Sequence, residues 1–282
     1  MKNNFLFIVF DSCRYDSFMR ARTPNISRLG EVERRYAYAS WTVPSHAVYL
    51  MGVSPHANPR GVFASEVYKK DFGNWSRRLG IPDISLRGFV PQLSLPYFLK
   101  QQGYETNALV SLPVLNQTTV LNQHFDRYAL MESHNDFSAM IDALKFYPEK
   151  PSFYLLNIGE THYPYTIPGE KAEDLPVIHG VHGVFKHMED KEDELKTRSG
   201  MEVSAEEFFH MDRMRALHDK QVRNVEYLDS LFEKLYEAVP PNTHILVTSD
   251  HGELFGEDGF FGHGPIVHEK VFEVFFVEGI RP

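Results

Sequence analysis

Apolar runs that end in chemically reactive side chains occur near both ends of this chain. Residues 5–10 are all apolar and lead directly into Asp11. Residues 244–249 are apolar at their centre and lead directly into Asp250 and His251. Such runs are typical of buried strands in a parallel sheet. Because ligands gather beyond the carboxyl ends of parallel strands, the pattern predicts that Asp11, Asp250 and His251 meet at one sheet edge.

Between these ends, the hydrophobic pattern alternates between strand and helix. Further strands are predicted at 105–111, 153–159 and 271–277. Helices are predicted from 26 to about 33 and at 44–51, 93–102, 137–147 and 217–236. Residues 53–90 show no clear period and are predicted to be loop with short elements. The alternation of strands and helices predicts an α/β fold.

A charged segment interrupts this pattern from about 166 to 215. It contains the mostly acidic run 189–194 and several histidines. This composition is typical of a solvated helical excursion from the core. A lid over the substrate mouth, or a contact that builds a homo-oligomer, stays open as an alternative. We therefore predict a single domain over 1–282 that carries one insertion.

Composition narrows the classes of function. The formal net charge of −9 argues against a general nucleic-acid binder, which grips phosphates with clustered Lys and Arg. The single cysteine, Cys13, excludes an internal disulfide and is predicted to be buried and inert. No apolar run approaches the ~20 residues of a membrane-spanning helix, and the run at 5–10 is too short for a signal peptide. We predict a cytoplasmic protein that binds no nucleic acid and no membrane.

Asp11, Asp250 and His251 are the predicted metal ligands. Two carboxylates and an imidazole suit Zn²⁺ or Mn²⁺ better than a soft metal, which favours cysteine. For Asp11 alone, a helix cap or a surface charge would be the simpler interpretation. The Asp-His-Gly-Glu sequence directly after a buried strand favours the metal site.

Thr42 is the predicted nucleophile. Metal coordination lowers the pKa of a hydroxyl and holds its oxygen in line with the target atom. Pro44 and Ser45 place Thr42 at or just before a helix N-terminus, which favours an anionic substrate. Without the metal ligands, an ordinary helix cap would be the better interpretation. The combination indicates a metal-dependent enzyme acting on a phosphoryl-type ester.

His162 and His263 are the remaining candidates for chemistry. His162 follows the strand at 153–159 in a stretch that begins with Glu160, and His263 lies in a glycine-rich loop. They could hold substrate oxygens, protonate a leaving group or complete a second metal site, so one or two ions are expected. The histidines interpreted as surface or hydrogen-bonded residues are His124, His134, His218 and His244, and His268 is left open.

A set of motifs in this chain resembles the alkaline phosphatase and sulfatase superfamily. The motifs are Asp11–Asp16, Thr42–His46, His162–Tyr165, Ser249–Glu253 and Gly262–Gly264, in that order. The resemblance runs from residue 5 to about 278. It is greatest to sulfatase-like hydrolases with a Thr-x-Pro-Ser-His element, followed by phosphoethanolamine transferases and lipoteichoic acid synthases. It implies a three-layer α/β/α sandwich with a mostly parallel central sheet.

The resemblance also implies roles for particular residues. It places a metal on Asp11, Asp250 and His251, with Thr42 as the metal-bound nucleophile. The reaction would pass through a covalent Thr42 intermediate that is then transferred to water or another acceptor. The substrate-binding residues it implies are His46, His162 and His263, of which His162 is also catalytic. The possible second metal ligands are Glu160, His162 and His263.

The chain also departs from the sulfatase pattern. Sulfatases oxidise the Cys or Ser of a Cys/Ser-x-Pro-Ser-Arg element, whereas Thr42 cannot become that aldehyde and His46 stands at the Arg position. Sulfatases also carry a basic pair, Lys and His, after a Gly-Tyr-x-Thr strand. Residues 103–106 match that element, but no basic pair follows the strand here. The lipid-acting transferases carry membrane helices, which this chain lacks. Many relatives continue after a strand such as 271–277, so the chain is either a minimal member or truncated.

Three hypotheses follow. The leading one is a soluble metal-dependent hydrolase or transferase of phosphoric mono- or diesters, acting on a small anionic ester. The second is a sulfuric-ester or phosphonate hydrolase of the same superfamily. The third is an inactive homologue that binds a metal or an anion. The intact Asp11, Thr42, Asp250 and His251 argue against the third, and the missing basic pair keeps it open.

Overall fold

The structure, a computed structural model, describes residues 3–51, 94–170 and 210–282. The predicted loop at 53–90 and most of the predicted insertion therefore lie outside the described residues. The strands are β1 (Asn4–Phe10), β2 (Glu33–Tyr36), β3 (Glu105–Val110), β4 (Arg127–Leu130), β5 (Ser152–Ile158), β6 (Thr243–Ser249), β7 (Leu254–Phe255), β8 (Phe261–Gly262) and β9 (Glu273–Ile280). The helices are α1 (Tyr15–Arg20), α2 (Thr42–Met51), α3 (Leu95–Gln101), α4 (Phe137–Asp142), α5 (Met211–Ser230), α6 (Phe232–Ala238) and α7 (Glu269–Phe272).

The central element is a seven-stranded sheet in the order β2-β9-β6-β1-β5-β3-β4. Strands β4, β3, β5, β1 and β6 run parallel to one another, and β9 runs antiparallel to both β6 and β2. Phe10 at the end of β1 pairs with Ile158 on one side and with Ser249 on the other. The residues that follow these three strands therefore leave the sheet at the same edge.

Helices cover both faces of this sheet because β1 is apolar on both sides. Leu6, Ile8 and Phe10 face a core shared with α1, α4, α5 and α6. Phe7 and Val9 face the opposite core, which is shared with α2 and α3. The predicted three-layer α/β/α arrangement with a mostly parallel sheet is confirmed. No helix in the described ranges is both long enough and apolar enough to cross a bilayer.

Several predicted boundaries are wrong. The helix predicted from 26 to about 33 is only a 3₁₀ turn at Ile26–Arg28, and Glu33 already begins β2. The helix predicted at 217–236 is two helices, which meet at Leu231. The helix predicted at 137–147 ends at Asp142, and the last strand begins at Glu273 because residues 269–272 form a helical turn.

The edge strand β2 shows why the sequence pattern failed there. All four of its residues are exposed, so they show no alternation of apolar and polar side chains. The strand exists because its backbone pairs with β9, with Arg34 opposite Phe275. Pairing of this kind depends on a partner more than two hundred residues away and leaves no local signal.

The core at β1 should dominate the stability of the fold. We predict that Ile8→Ala lowers the free energy of unfolding by about 2–5 kcal/mol, because Ile8 is fully buried and its truncation leaves a cavity. Ile280→Ala, in the half-exposed end of β9, is the matched control and should change it by about 0.5 kcal/mol or less. Denaturant unfolding of both variants measures the difference, and equal losses would contradict this assignment of the core.

Candidate active site

Three buried side chains converge beyond the carboxyl ends of β1 and β6. The ligand atoms of Asp11, Asp250 and His251 all lie within 4.8 Å of one another. His251 Nε2 is 3.2 Å from Asp250 Oδ2 and 4.0 Å from Asp11 Oδ1. Within the described parts of the chain, no other group of three His, Cys, Asp or Glu side chains comes together in this way. The strand register thus assembles the residues that were predicted as metal ligands.

The cluster has the properties of a cation site. Burial and the nearby charge of Asp250 raise the pKa of Asp11, so two carboxyl groups are crowded together without enough positive charge. Asp250 Oδ2 is buried and receives no hydrogen bond. His251 Nδ1 donates to the carbonyl of Gly252 at 2.9 Å, which leaves Nε2 as the ring nitrogen that faces the carboxylates. This oxygen and nitrogen donor set fits a divalent ion such as Zn²⁺ or Mn²⁺.

The imidazole of His251 responds to the same crowding. Burial by itself lowers the pKa of His251, but the adjacent Asp250 and Asp11 outweigh burial and raise it to about 9. Without a metal ion, this shift favours a protonated imidazole beside the two carboxylates. Because a ligand nitrogen must be deprotonated, metal binding should release that proton.

Neighbouring polar groups hold the two carboxylates in place. Asn157 Nδ2 donates to Asp11 Oδ2 at 2.8 Å, and the backbone N–H of Ser12 donates to Asp250 Oδ1 at 3.1 Å. The hydroxyl of Thr161 donates to the backbone carbonyl of Asp11 at 2.7 Å. The sequence pattern did not predict these contacts. The signal for Asn157 was present, since it is a polar residue inside the otherwise apolar strand β5.

Thr42 lies directly beside the cluster at the first position of α2. Its Oγ1 is 3.4 Å from Asp11 Oδ1 and 3.4 Å from His251 Nε2, and the residue is 3% exposed. The N-terminus of α2 also presents backbone N–H groups and the positive end of the helix dipole. The Thr42 hydroxyl therefore lies between the candidate metal ligands and the N-terminus of α2, which favours a bound anion.

His46 lies one turn further along α2 and faces the protein interior. Its Nδ1 is 2.8 Å from the carbonyl of Thr42 and 3.9 Å from Asp250 Oδ2. The residue is buried, and burial lowers its pKa to about 4, so the ring is neutral near neutral pH. The visible contact of His46 is thus with the start of α2, and its role in substrate binding stays a prediction.

His162 and His263 lie at the same edge of the sheet as the ligands. The ring centroid of His263 is 4.3 Å from that of His251 and 5.2 Å from that of His162. Gly262 and Gly264 on either side of His263 have φ values of 85° and 136°, which side chains rarely tolerate. The loop therefore needs these glycines to bring the imidazole into the site.

The carboxyl group of Glu160 contacts the start of α4. Its Oε1 accepts a hydrogen bond from the backbone N–H of Phe137 at 2.8 Å, at the start of α4. In the described residues, Glu160, His162 and His263 do not form a group of converging ligand atoms. The structure thus gives Glu160 a contact at a helix start, and the second metal site stays a prediction.

Arg14 is a further residue whose role the sequence did not reveal. It is 2% exposed, and its guanidinium donates to both carboxylate oxygens of Asp16 at 2.7 and 2.6 Å. It also donates to Glu257 Oε1 at 2.5 Å. Burial opposes ionisation, but the nearby His218 and the hydrogen bonds from Arg14 hold the pKa of Asp16 well below its usual range. Arg14 thereby ties the segment after Asp11 to the loop between β7 and β8.

The sequence matches a known protein family over most of its length. The chain matches the sulfatase family over residues 3–270, which is nearly its whole length. It therefore belongs to the sulfatase family. The wider superfamily consists of metal-dependent hydrolases and transferases of esters. No protein of curated function matches the sequence.

Solved structures share the fold at low sequence identity. The C-terminal periplasmic domain of EcEptC from Escherichia coli, in complex with Zn, has a TM-score of 0.55 at 15% identity over 99% of this chain and 73% of that chain. BT4656, in complex with its substrate D-glucosamine-2-N,6-O-disulfate, has a TM-score of 0.57 at 16% identity over 100% of this chain and 72% of that chain. The phosphonate monoester hydrolase of Agrobacterium radiobacter has a TM-score of 0.56 at 14% identity over 98% of this chain and 68% of that chain. These likenesses show the fold alone.

Removing one carboxylate should weaken metal binding. Loss of a residue that only orients a metal ligand typically lowers metal affinity about 10- to 100-fold. We predict that Asp250→Asn lowers affinity for Zn²⁺ or Mn²⁺ by more than this, because it removes a ligand itself. Asp229→Asn is the matched control, because buried Asp229 hydrogen-bonds the backbone of Asn25 and Ile26 instead. Competition with a metal chelator measures both affinities, and an unchanged affinity in Asp250→Asn would remove Asp250 from the site.

Glu160 should make the metal-free protein less stable as the pH rises. Burial raises its pKa from 4.5 to about 7, so the folded state holds this proton more tightly than the unfolded state. The stabilisation is complete below pH 4.5 and is lost as the pH rises to about 7. Glu160→Gln keeps an acceptor for Phe137 and should remove on the order of 1–3 kcal/mol of this pH dependence. Denaturant unfolding with a chelator present tests it, and identical pH profiles would refute it.

Proposed function

We propose that this chain is a metal-dependent enzyme that hydrolyses or transfers phosphoric esters through Thr42. The observation that carries the proposal is the position of Thr42 Oγ1, 3.4 Å from both Asp11 Oδ1 and His251 Nε2 at a helix N-terminus. A hydroxyl nucleophile, a cation site and an anion-binding helix end are then within one small region. Acyl and glycosyl transfer do not require this combination of groups. Phosphoryl transfer is accelerated by it, because a cation and helix N–H groups stabilise the negative charge on the phosphoryl oxygens.

The residues of the chain divide the work as follows. Asp11, Asp250 and His251 would hold the ion, which would lower the pKa of the Thr42 hydroxyl and draw negative charge from the ester. The hydrogen bond from Thr42 to Asp11 gives its proton a path away from the oxygen. The N-terminus of α2 favours the anionic ester in front of that oxygen.

The proposed reaction has two steps, which form and then break a covalent bond between Thr42 and phosphorus. Thr42 Oγ forms a bond to phosphorus while the bond to the departing alcohol breaks, and His162 or His263 supplies the proton that the alcohol oxygen needs. Water or another acceptor next forms a bond to phosphorus while the bond between phosphorus and Thr42 Oγ breaks. The proton of the acceptor returns to the same histidine, and Thr42 Oγ recovers its proton through Asp11. Hydrolysis and transfer differ only in which acceptor enters.

Two features favour phosphorus over sulfur at the reacting centre. Sulfatases of the pattern described above oxidise a Cys or Ser to an aldehyde, and Thr42 cannot form that group. A periplasmic phosphoethanolamine transferase domain and a phosphonate monoester hydrolase are among the proteins with this fold. A sulfuric-ester or phosphonate hydrolase is the second candidate, because proteins with this fold also include glycosaminoglycan sulfatases. The ions Zn²⁺ or Mn²⁺, their number and a cytoplasmic location belong to the proposal.

The first test compares matched aryl esters with Zn²⁺ or Mn²⁺ supplied. The set consists of a phosphate monoester, a phosphate diester, a phosphonate and a sulfate with the same leaving group. We expect turnover of at least one phosphate ester to exceed that of the sulfate. Faster sulfate hydrolysis would move the assignment to the second candidate. Metal binding with no turnover of any ester would support an inactive anion-binding homologue.

The nucleophile is tested by substitution. We predict that Thr42→Ala lowers kcat by about 10³-fold or more while metal content stays near that of the wild type, since the losses on removing a nucleophile are large. Thr42→Ser keeps a hydroxyl and is the matched control, which should retain much more activity. Mass spectrometry of quenched wild-type enzyme should find phosphate on Thr42. Full activity in Thr42→Ala would rule out the mechanism.

A further inference from the structure

We propose that Glu253 and Tyr165 are positioning residues that hold the imidazole of His263 in its working orientation. The inference rests on the proposed function for the use that the reaction makes of His263. The arrangement itself is a feature of the fold and can be tested without turnover. In the described residues, neither Glu253 nor Tyr165 belongs to the group of side chains that converge as candidate metal ligands.

The three side chains form a buried chain of hydrogen bonds. His263 Nδ1 is 3.0 Å from Glu253 Oε1, and the Tyr165 hydroxyl donates a short hydrogen bond to the other carboxyl oxygen, Oε2. The residues are 0% (Tyr165), 1% (Glu253) and 2% (His263) exposed. A buried carboxyl group is costly unless its oxygens are satisfied. Here a different side chain satisfies each oxygen, so the carboxyl group has one defined orientation.

This series of hydrogen bonds ends at the candidate metal site. The Ser12 hydroxyl is 3.3 Å from His263 Nδ1 and donates to Asp11 Oδ1 at 3.1 Å. Glu253 and Ser12 both contact Nδ1, so the same ring nitrogen faces the carboxyl group and the segment that follows Asp11. Control of one ring nitrogen by a carboxylate is a common way to set the orientation and tautomer of a reactive histidine.

The backbone of Tyr165 supports a specific role. Tyr165 has a φ of 55°, in the left-handed region that is uncommon for a large side chain. Its backbone N–H donates to the carbonyl of His162 at 2.8 Å, which closes a tight turn. Backbone strain of this kind persists where the surroundings require it, and it is frequent at functional sites. The same turn thereby carries His162 and delivers the Tyr165 hydroxyl to Glu253.

A double-mutant cycle tests whether Glu253 acts through His263. We expect Glu253→Ala to lower kcat/KM by about 10- to 100-fold, as for other groups that orient a reactive side chain, and Glu253→Gln to lose less. In a His263→Ala background, Glu253→Ala should cost less than about twofold further. Full multiplication of the two losses would overturn the proposal. Tyr165→Phe should give a smaller loss that also disappears in that background.

A spectroscopic measurement separates this proposal from the proposed function. The side-chain ¹⁵N signals of His263, assigned by their loss in His263→Ala, should show one fixed tautomer in the wild type and an averaged one in Glu253→Ala. Tyr154→Phe is the matched control, because Tyr154 is a buried tyrosine whose hydroxyl donates to the backbone of Lys145. Unchanged signals in Glu253→Ala and Tyr165→Phe would refute the positioning role, even if every ester proved to be a substrate. Thermal unfolding confirms that each variant is folded.

Discussion

Two carboxyl groups held side by side, where water barely reaches them, are the constraint on which the candidate site depends. Asp11 and Asp250 are 0% and 1% exposed, and burial together with the charge of Asp250 raises the pKa of Asp11. Such crowding is tolerable only with compensating donors or a positive charge. Asn157, Ser12 and His251 supply part of that compensation. A divalent cation would supply the rest, so the same strain that destabilises the metal-free site gives it affinity for an ion.

The sheet makes this crowding possible through its register. Phe10 is paired on both sides, with Ile158 and with Ser249, so the residues after three adjacent strands emerge at one level. A slip of one residue in either pairing would turn the following side chains to the opposite face. Because β1 is apolar on both faces, its register depends on how its individual side chains pack against the helices on each face. Stability of the core and placement of the ligands are therefore consequences of one arrangement.

The parts of the site that could be predicted share a simple property. Asp11 directly follows β1, Asp250 and His251 directly follow β6, and Thr42 begins α2. Residues at the ends of strongly patterned elements have positions that follow from the element itself. Glu160 shows the limit of that argument. It lies two residues after the end of β5, at the same sheet edge as Asp11, yet its carboxyl group accepts a hydrogen bond from the backbone of Phe137. Adjacency to a strand end places a residue at the edge but does not set the direction of its side chain.

The sequence by itself determined the buried strands, the α/β class and the types of side chain that gather at the sheet edge, because burial leaves a periodic apolar pattern along the chain. Only the tertiary structure decided which polar groups share a hydrogen bond. The edge strand β2, the contacts of Arg14 and the chain from Tyr165 through Glu253 to His263 all join segments that are far apart in sequence. Hydrogen bonds between such segments depend on the relative placement of whole elements, and local composition carries no record of that placement.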